Sequence, residues 1–142
     1  MKKLILLWLC FLLGACAPQL KTYNTLEEAN KASGMNVVIS DLLKENVDTF
    51  TYKASDHKLV IEFKADTKPA TLTITEEEVK DTGDHSVKDE VKIHDRDVLC
   101  MGEDILYSKA IWEDKVYYVL EVEGGMKQAD FTSIIYSLIE AN

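Results

Sequence analysis

The sequence predicts an α+β fold: an antiparallel meander sheet with a short N-terminal helix and a C-terminal helix packed on one face. Three observations predict it. Leu59, Ile61 and Phe63 alternate with Val60, Glu62 and Lys64, and Leu72 and Ile74 with Thr71, Thr73 and Thr75. Such period-2 patterning with one mostly polar face is that of an antiparallel sheet solvated on one side. Thr25-Leu-Glu-Glu28 is a capping box, in which the Thr25 hydroxyl and the Glu28 carboxylate each satisfy the other residue's amide. Phe131, Ile134, Ile135, Leu138 and Ile139 recur at the spacing of an amphipathic helix, which needs an apolar partner such as the sheet.

The chain begins with Lys2-Lys3, followed by unbroken apolar residues from Leu4 to Leu13. That run is too short to span a bilayer, which takes about 20 apolar residues, and has the form of a signal peptide. Leu13-Gly14-Ala15-Cys16 closes it and resembles the bacterial lipobox. There an aliphatic residue and two small ones precede a cysteine that receives diacylglycerol and becomes the mature N-terminus. Residues 1–15 are therefore expected to be a lipoprotein signal peptide, with cleavage between Ala15 and Cys16 and lipidation at Cys16. Residues 16–24 are expected to be a tether, and residues 25–142 a single domain of ordinary size. The eight residues Ala17 to Asn24 reach at most about 26 Å when extended.

Cleavage removes two lysines and no acid, taking the net charge from −9 to −11. A chain this acidic has no basic footprint for nucleic acid. It is also repelled by an anionic membrane surface, so the lipid must hold it there. Once Cys10 leaves and Cys16 is acylated, Cys100 has no partner for an intramolecular disulfide, and within Val98-Leu99-Cys100-Met101 it reads as a small buried hydrophobe, the alternative being an intermolecular disulfide or a reactive thiol.

In chain order, Leu26, Ala29 and Ala32 give the first helix a narrow apolar stripe, and Gly34 is its stop. Met35 to Ile39 reads as a short strand, and Asp41 to Asn46 fits either a helical turn or a loop. Phe50 and Tyr52 open the meander. Ser55-Asp56-His57 and Asp66 to Pro69 are turns. Glu76 to Asp89, charged and without apolar period, reads as an exposed loop or hairpin tip. Val91 and Ile93 restart a strand, His94-Asp95-Arg96-Asp97 turns it, and Val98 to Met101 returns. Gly102-Glu103-Asp104 breaks it before Ile105. Trp112 and Val116 to Val122 are rich in aromatic and β-branched residues and form the closing hairpin, which Gly124-Gly125 is expected to end.

Motifs that carry chemistry are sparse. Asp81-Thr82-Gly83 matches the aspartic protease triplet, but that chemistry needs two aspartates in a buried loop. The neighbours Lys80 and Asp84 favour a solvated turn. His57, His85 and His94 each adjoin an aspartate on a separate turn, without the spacing of a zinc site, so ordinary titration is expected of all three. The aspartates at 81, 84, 89, 95 and 97 lack calcium-loop spacing. No nucleophile elbow, phosphate loop or dinucleotide pattern is present. No catalytic, cofactor-binding or metal-binding residue is assigned. Of the adjacent Tyr117 and Tyr118 one must face outward, either as an exposed aromatic stacked near Trp112 that offers a binding patch, or as an ordinary cross-strand pair.

Two blocks carry a resemblance. Thr25-Leu-Glu-Glu-Ala29 closed by Gly34 is the first. Trp112, a short acidic turn, Tyr117-Tyr118, then Phe131 to Leu138 is the second. Together they resemble small extracytoplasmic domains of unknown function found in Gram-positive lipoproteins and in anti-sigma and sporulation-type membrane proteins. The likeness spans nearly all of the mature chain, and the charged stretch from Glu76 to Asp89 departs from it. It implies the same order of helix, meander and closing helix and an extracytoplasmic place, and brings no catalytic residue. The expectation is a protein lipid-anchored to the cell membrane and facing outside the cytoplasm. It would be a non-enzymatic module binding a protein partner or ligand in the envelope, with no cofactor. The alternatives are an envelope hydrolase with an unrecognised loop site and a purely structural envelope component.

Overall fold

The computed structural model describes residues 18–81 and 83–142; the expected signal peptide, Cys16 and Thr82 lie outside them. Among the described residues eight strands form one antiparallel sheet: β1 (Lys21–Tyr23), β2 (Thr51–Ser55), β3 (Lys58–Ala65), β4 (Lys68–Thr75), β5 (Val87–Ile93), β6 (Arg96–Glu103), β7 (Leu106–Glu113) and β8 (Tyr117–Lys127). Their order is β1-β2-β3-β4-β8-β7-β6-β5. The sheet is thus two four-stranded meanders joined where β4 meets β8, with Leu72 opposite Leu120 and Ile74 opposite Tyr118. The loop after β4 carries the chain to the far edge, and the second meander works back.

Among the described residues three helices accompany the sheet: α1 (Leu26–Ser33), α2 (Asp41–Asn46) and α3 (Gln128–Ala141). In α1 the capping box is formed, with Thr25 Oγ1 accepting from Glu28 N at 3.2 Å and Thr25 N donating to Glu28 Oε2 at 3.3 Å. Gly34 closes the helix at φ 73°, a left-handed conformation that glycine adopts without a Cβ penalty. Ala29, Leu43, Phe131, Ile135 and Leu138 of the helices share one core with Leu59, Ile61, Phe63, Leu72, Ile74 and Leu120 of the sheet. Full burial of Phe131 or Ile135 contributes about 1.5–3 kcal/mol each.

Several local expectations are corrected. Lys21–Tyr23, read as tether, pairs with β2 as the first edge of the sheet. Met35 to Ile39 forms no strand, although Met35, Val37 and Ile39 are buried. Its backbone is satisfied by side chains instead. Asn30 accepts from Val37 N at 3.1 Å and donates to Val37 O at 2.9 Å, and Asn142 does the same for Val38 at 2.7 and 2.8 Å. Asp41 to Asn46 is helical, with Ser40 Oγ accepting from Leu43 N at its start.

The turns are tighter than expected. Asp66-Thr67, His94-Asp95 and Asp104-Ile105 suffice, so Lys68 and Pro69 belong to β4 and Arg96, Asp97, Gly102 and Glu103 to β6. Positive φ at Asp66, Thr67, His94 and Asp104 allows such two-residue turns. Gly124-Gly125 does not end β8. Both residues take positive φ in a bulge where the pairing jumps from Lys109 opposite Glu121 to Tyr107 opposite Met126. The strand runs on to Lys127 and α3 follows at once.

The stretch from Glu76 to Asp89 is not simply exposed. Val87 to Asp89 lie in β5, and Val79 packs with Met101, Ile111 and Val119 on the sheet face away from the helices. The loop covers the middle of that second face, which alternation alone assigned to solvent.

Candidate functional site

An apolar concavity lies where α2 packs beside α3. A two-turn helix buries one stripe only, so Leu43 enters the core while Leu42 remains 58% exposed. Leu42, Val47, Ala65, Met126 and Ile134 line a groove of about 440 Å³. The Gly124-Gly125 bulge helps place it, because it brings Met126 under the start of α3. Lys68 Nζ donates to the Gly125 carbonyl across this bulge. Asp66 and Asp130 also line the groove, and neither carboxylate takes an ion pair or hydrogen bond among the described residues. The opening therefore offers apolar walls with two free anions, a combination that suits an apolar group flanked by a cation.

On the other side of Leu42 a second trough of about 500 Å³ runs between α3 and β5, lined by Val91, Ile93, His94, Thr132 and Tyr136. His94 lies over the Tyr136 ring with centroids 4.5 Å apart. The helix hydroxyls near both concavities are already committed. Thr132 Oγ1 donates to Gln128 O at 2.9 Å, Ser133 Oγ to Ala129 O at 2.8 Å and Ser137 Oγ to Ile134 O at 2.8 Å. None is aligned with a base, as an activated nucleophile would be.

The residues singled out in the sequence fall elsewhere. Cys100 is fully buried among the core side chains, and burial pushes its thiol up to about 12, so it is not a thiolate at neutral pH. Its neighbour Tyr107 is also pushed up to about 12 by burial, and its hydroxyl donates to Asp89 Oδ2 at 2.6 Å. Asp81 accepts from Gly83 N at 3.1 Å and from Lys88 Nζ at 2.5 Å. The lysine hydrogen bond holds its carboxyl below the usual aspartate range, as in a charged turn residue.

The histidines stay on separate elements, and among the described residues no three His, Cys, Asp or Glu side chains converge to hold a metal ion. His57 does not keep ordinary titration. The imidazole lies 2.9 Å from Glu76 Oε2 and 3.4 Å from Asp56 Oδ2, and the Glu76 hydrogen bond raises its pKa above the usual value. That partner directly follows β4, which the sequence does not place beside the β2–β3 turn. His85 Nε2 is buried without a partner beside Gly83.

The aromatic pair is also redistributed. Tyr118, not the outward Tyr117, stacks on Trp112, with ring centroids 5.1 Å apart and planes within 5°. It does so inside the core, directly across the strand register. The stack is therefore a cross-strand packing pair and not a surface patch. The exposed groups beside Leu42 were missed because Leu42 and Tyr136 meet the same surface only through packing. Leu42 next to the buried Leu43 was the available signal, an apolar pair on a helix with room to bury one.

Among the described residues no helix is long and apolar enough to cross a membrane. Compared with known proteins, the chain matches no family model, no curated protein and no solved structure.

Proposed function

We propose that this protein is a lipid-anchored module on the outer face of a bacterial cell membrane, an α+β domain with α1 and α3 on one face of its sheet. It binds a protein partner or ligand through the groove beside α3 and catalyses no reaction. The observation that carries the binding reading is the exposed Leu42 over an apolar groove lined by the free carboxylates of Asp66 and Asp130. Apolar clefts with a few polar groups at their rim are where ligands and partner side chains are most often seated. The partner chemistry that fits is an apolar side chain with a neighbouring basic residue. The commitment of the groove hydroxyls to helix carbonyls speaks for binding over hydrolysis.

The anchor rests on Leu13-Gly14-Ala15-Cys16 and on the likeness to small extracytoplasmic domains. Only four residues separate Cys16 from the first paired residue, Lys21, a reach of about 17 Å at most. A lipid on Cys16 thus keeps the end of the sheet bearing Lys21 and the Asp56-His57 turn close to the bilayer.

Two experiments test the reading separately. Cys16→Ala is expected to release the protein from membranes or leave it unprocessed. A processed variant that still fractionates with membranes refutes the anchor. A photo-crosslinking residue at position 42, placed in cells, is expected to capture one partner that the same residue at Lys115 does not, and Asp66→Lys with Asp130→Lys is expected to abolish capture. Equal capture at both positions, or none at 42, refutes the groove.

A further inference from the structure

We propose that β5 is a self-pairing edge, and that two copies of the chain join antiparallel through it about a two-fold axis at Val91. This inference requires neither the anchor nor the groove partner. Of the two edges of the sheet, β1 has three residues, whereas β5 has seven and, among the described residues, is paired on one side only, by β6. Ile93 and Arg96 flank the two-residue His94-Asp95 turn, which makes them a hydrogen-bonded pair. Alternation then turns the backbone groups of Ile93, Val91 and Asp89 toward β6 and those of Lys92, Glu90 and Lys88 outward. A free row of donors and acceptors of this length is a template for another strand.

Charge decides which strand and which register. With the axis at Val91, Glu90 of each copy meets Lys92 of the other, so two opposite-charge pairs form on the face away from the helices. The same two pairs exchange the outward N–H and C=O groups, and Val91 meets Val91 between them. Asp89 then stands opposite Ile93, with its carboxylate already taking the Tyr107 hydroxyl. Neighbouring registers fail on charge. An axis at Glu90 sets Glu90 on Glu90 and Lys88 on Lys92. An axis at Lys92 sets that lysine on itself. An axis at Asp89 opposes two aspartates and draws on Lys88, which is held by Asp81 at 2.5 Å. Lys92 is freer, since its present pair with Asp97 is 3.5 Å long and largely exposed.

The helix side agrees. The trough between α3 and β5 leaves Leu42 58% and Tyr136 44% exposed, two of the five exposed large apolar residues among those described. An axis perpendicular to the sheet at Val91 turns the Tyr136 sides of the two troughs toward each other, while Leu42 stays over the groove between α2 and α3.

The test uses the full chain in detergent micelles, with protein mass measured by light scattering and sedimentation equilibrium. Wild type is expected to be a dilution-dependent dimer. Glu90→Lys or Lys92→Glu alone, which places like charges opposite each other twice, is expected to weaken dimerisation about tenfold or more. The double exchange is expected to restore it to within about threefold of wild type. Val91→Cys is expected to cross-link under mild oxidation, because directly opposed residues of a non-hydrogen-bonded pair lie about 4.5 Å apart at Cα, within disulfide range. A monomer at all concentrations up to about 0.1 mM, a double exchange that does not restore the dimer, or a Val91→Cys chain that does not cross-link overturns the proposal. Melting curves of each variant show that it is folded.

Discussion

Asn30→Ala isolates the way the groove is held in place. The Asn30 amide satisfies both backbone groups of Val37, at 2.9 and 3.1 Å, and Val37 itself is buried. From there the chain runs through buried Ile39 to Ser40, which caps α2 and so sets where Leu42 stands. Truncation removes two hydrogen bonds worth about 0.5–1.5 kcal/mol each, and any group left dry costs about 1–3 kcal/mol. The site is half-buried, so water reaches part of it, and a total near 2 kcal/mol is expected. For a domain of this size that is a fall in Tm of roughly 6–10 °C. Asn30→Asp should cost at least as much, because it keeps the acceptor for Val37 N but sets a carboxylate against Val37 O. Urea unfolding gives the stability, and hydrogen exchange at Val37 and at the amides of α2 shows whether the segment loosens. A loss under about 0.5 kcal/mol for Asn30→Ala, or no faster exchange at Val37, refutes the assignment. Asn142→Ala, whose pair with Val38 is exposed, should cost less, about 1 kcal/mol.

Ile135→Ala should cost about 2–5 kcal/mol by denaturant unfolding, since the side chain is fully buried under α3, and a loss below about 0.5 kcal/mol would show that α3 does not dock by this stripe. Thr67→Gly should stabilise by about 0.5–1 kcal/mol, because a β-branched residue at φ 69° is strained and glycine is not; an unchanged or lower Tm contradicts this. His57 binds its proton more tightly folded than unfolded. Its contribution to stability is therefore fully present below the unfolded pKa near 6.5 and lost as pH rises through the higher folded value. The stability difference between wild type and His57→Asn should shrink as pH rises above 6.5, and an imidazole NMR titration at or below 6.5 would show that Glu76 does not hold it.

The sequence by itself determined the elements whose signal is local. Alternation in Leu59 to Phe63 and Leu72 to Ile74 needs only the two-residue period of a strand, and the capping box over Thr25 to Glu28 needs only one helical turn. The stripe from Phe131 to Ile139 likewise carries its own period. The tertiary structure decided what depends on partners far along the chain. The buried 35–39 segment looked like a strand because its side chains are apolar, yet Asn30 and Asn142 pair its backbone from two helices. The β7–β8 register set Tyr118 across from Trp112 in the core, and the loop after β4 placed Val79 over the second face. The groove is of the same kind. Leu42, Met126 and Ile134 come from three elements, and nothing in the spacing of any one of them says that a bulge at Gly124-Gly125 will bring them together. Periodicity reports which side of an element is apolar. Which apolar sides meet, and which stay open to solvent, is set by register and crossing, and those exist only once the chain has folded.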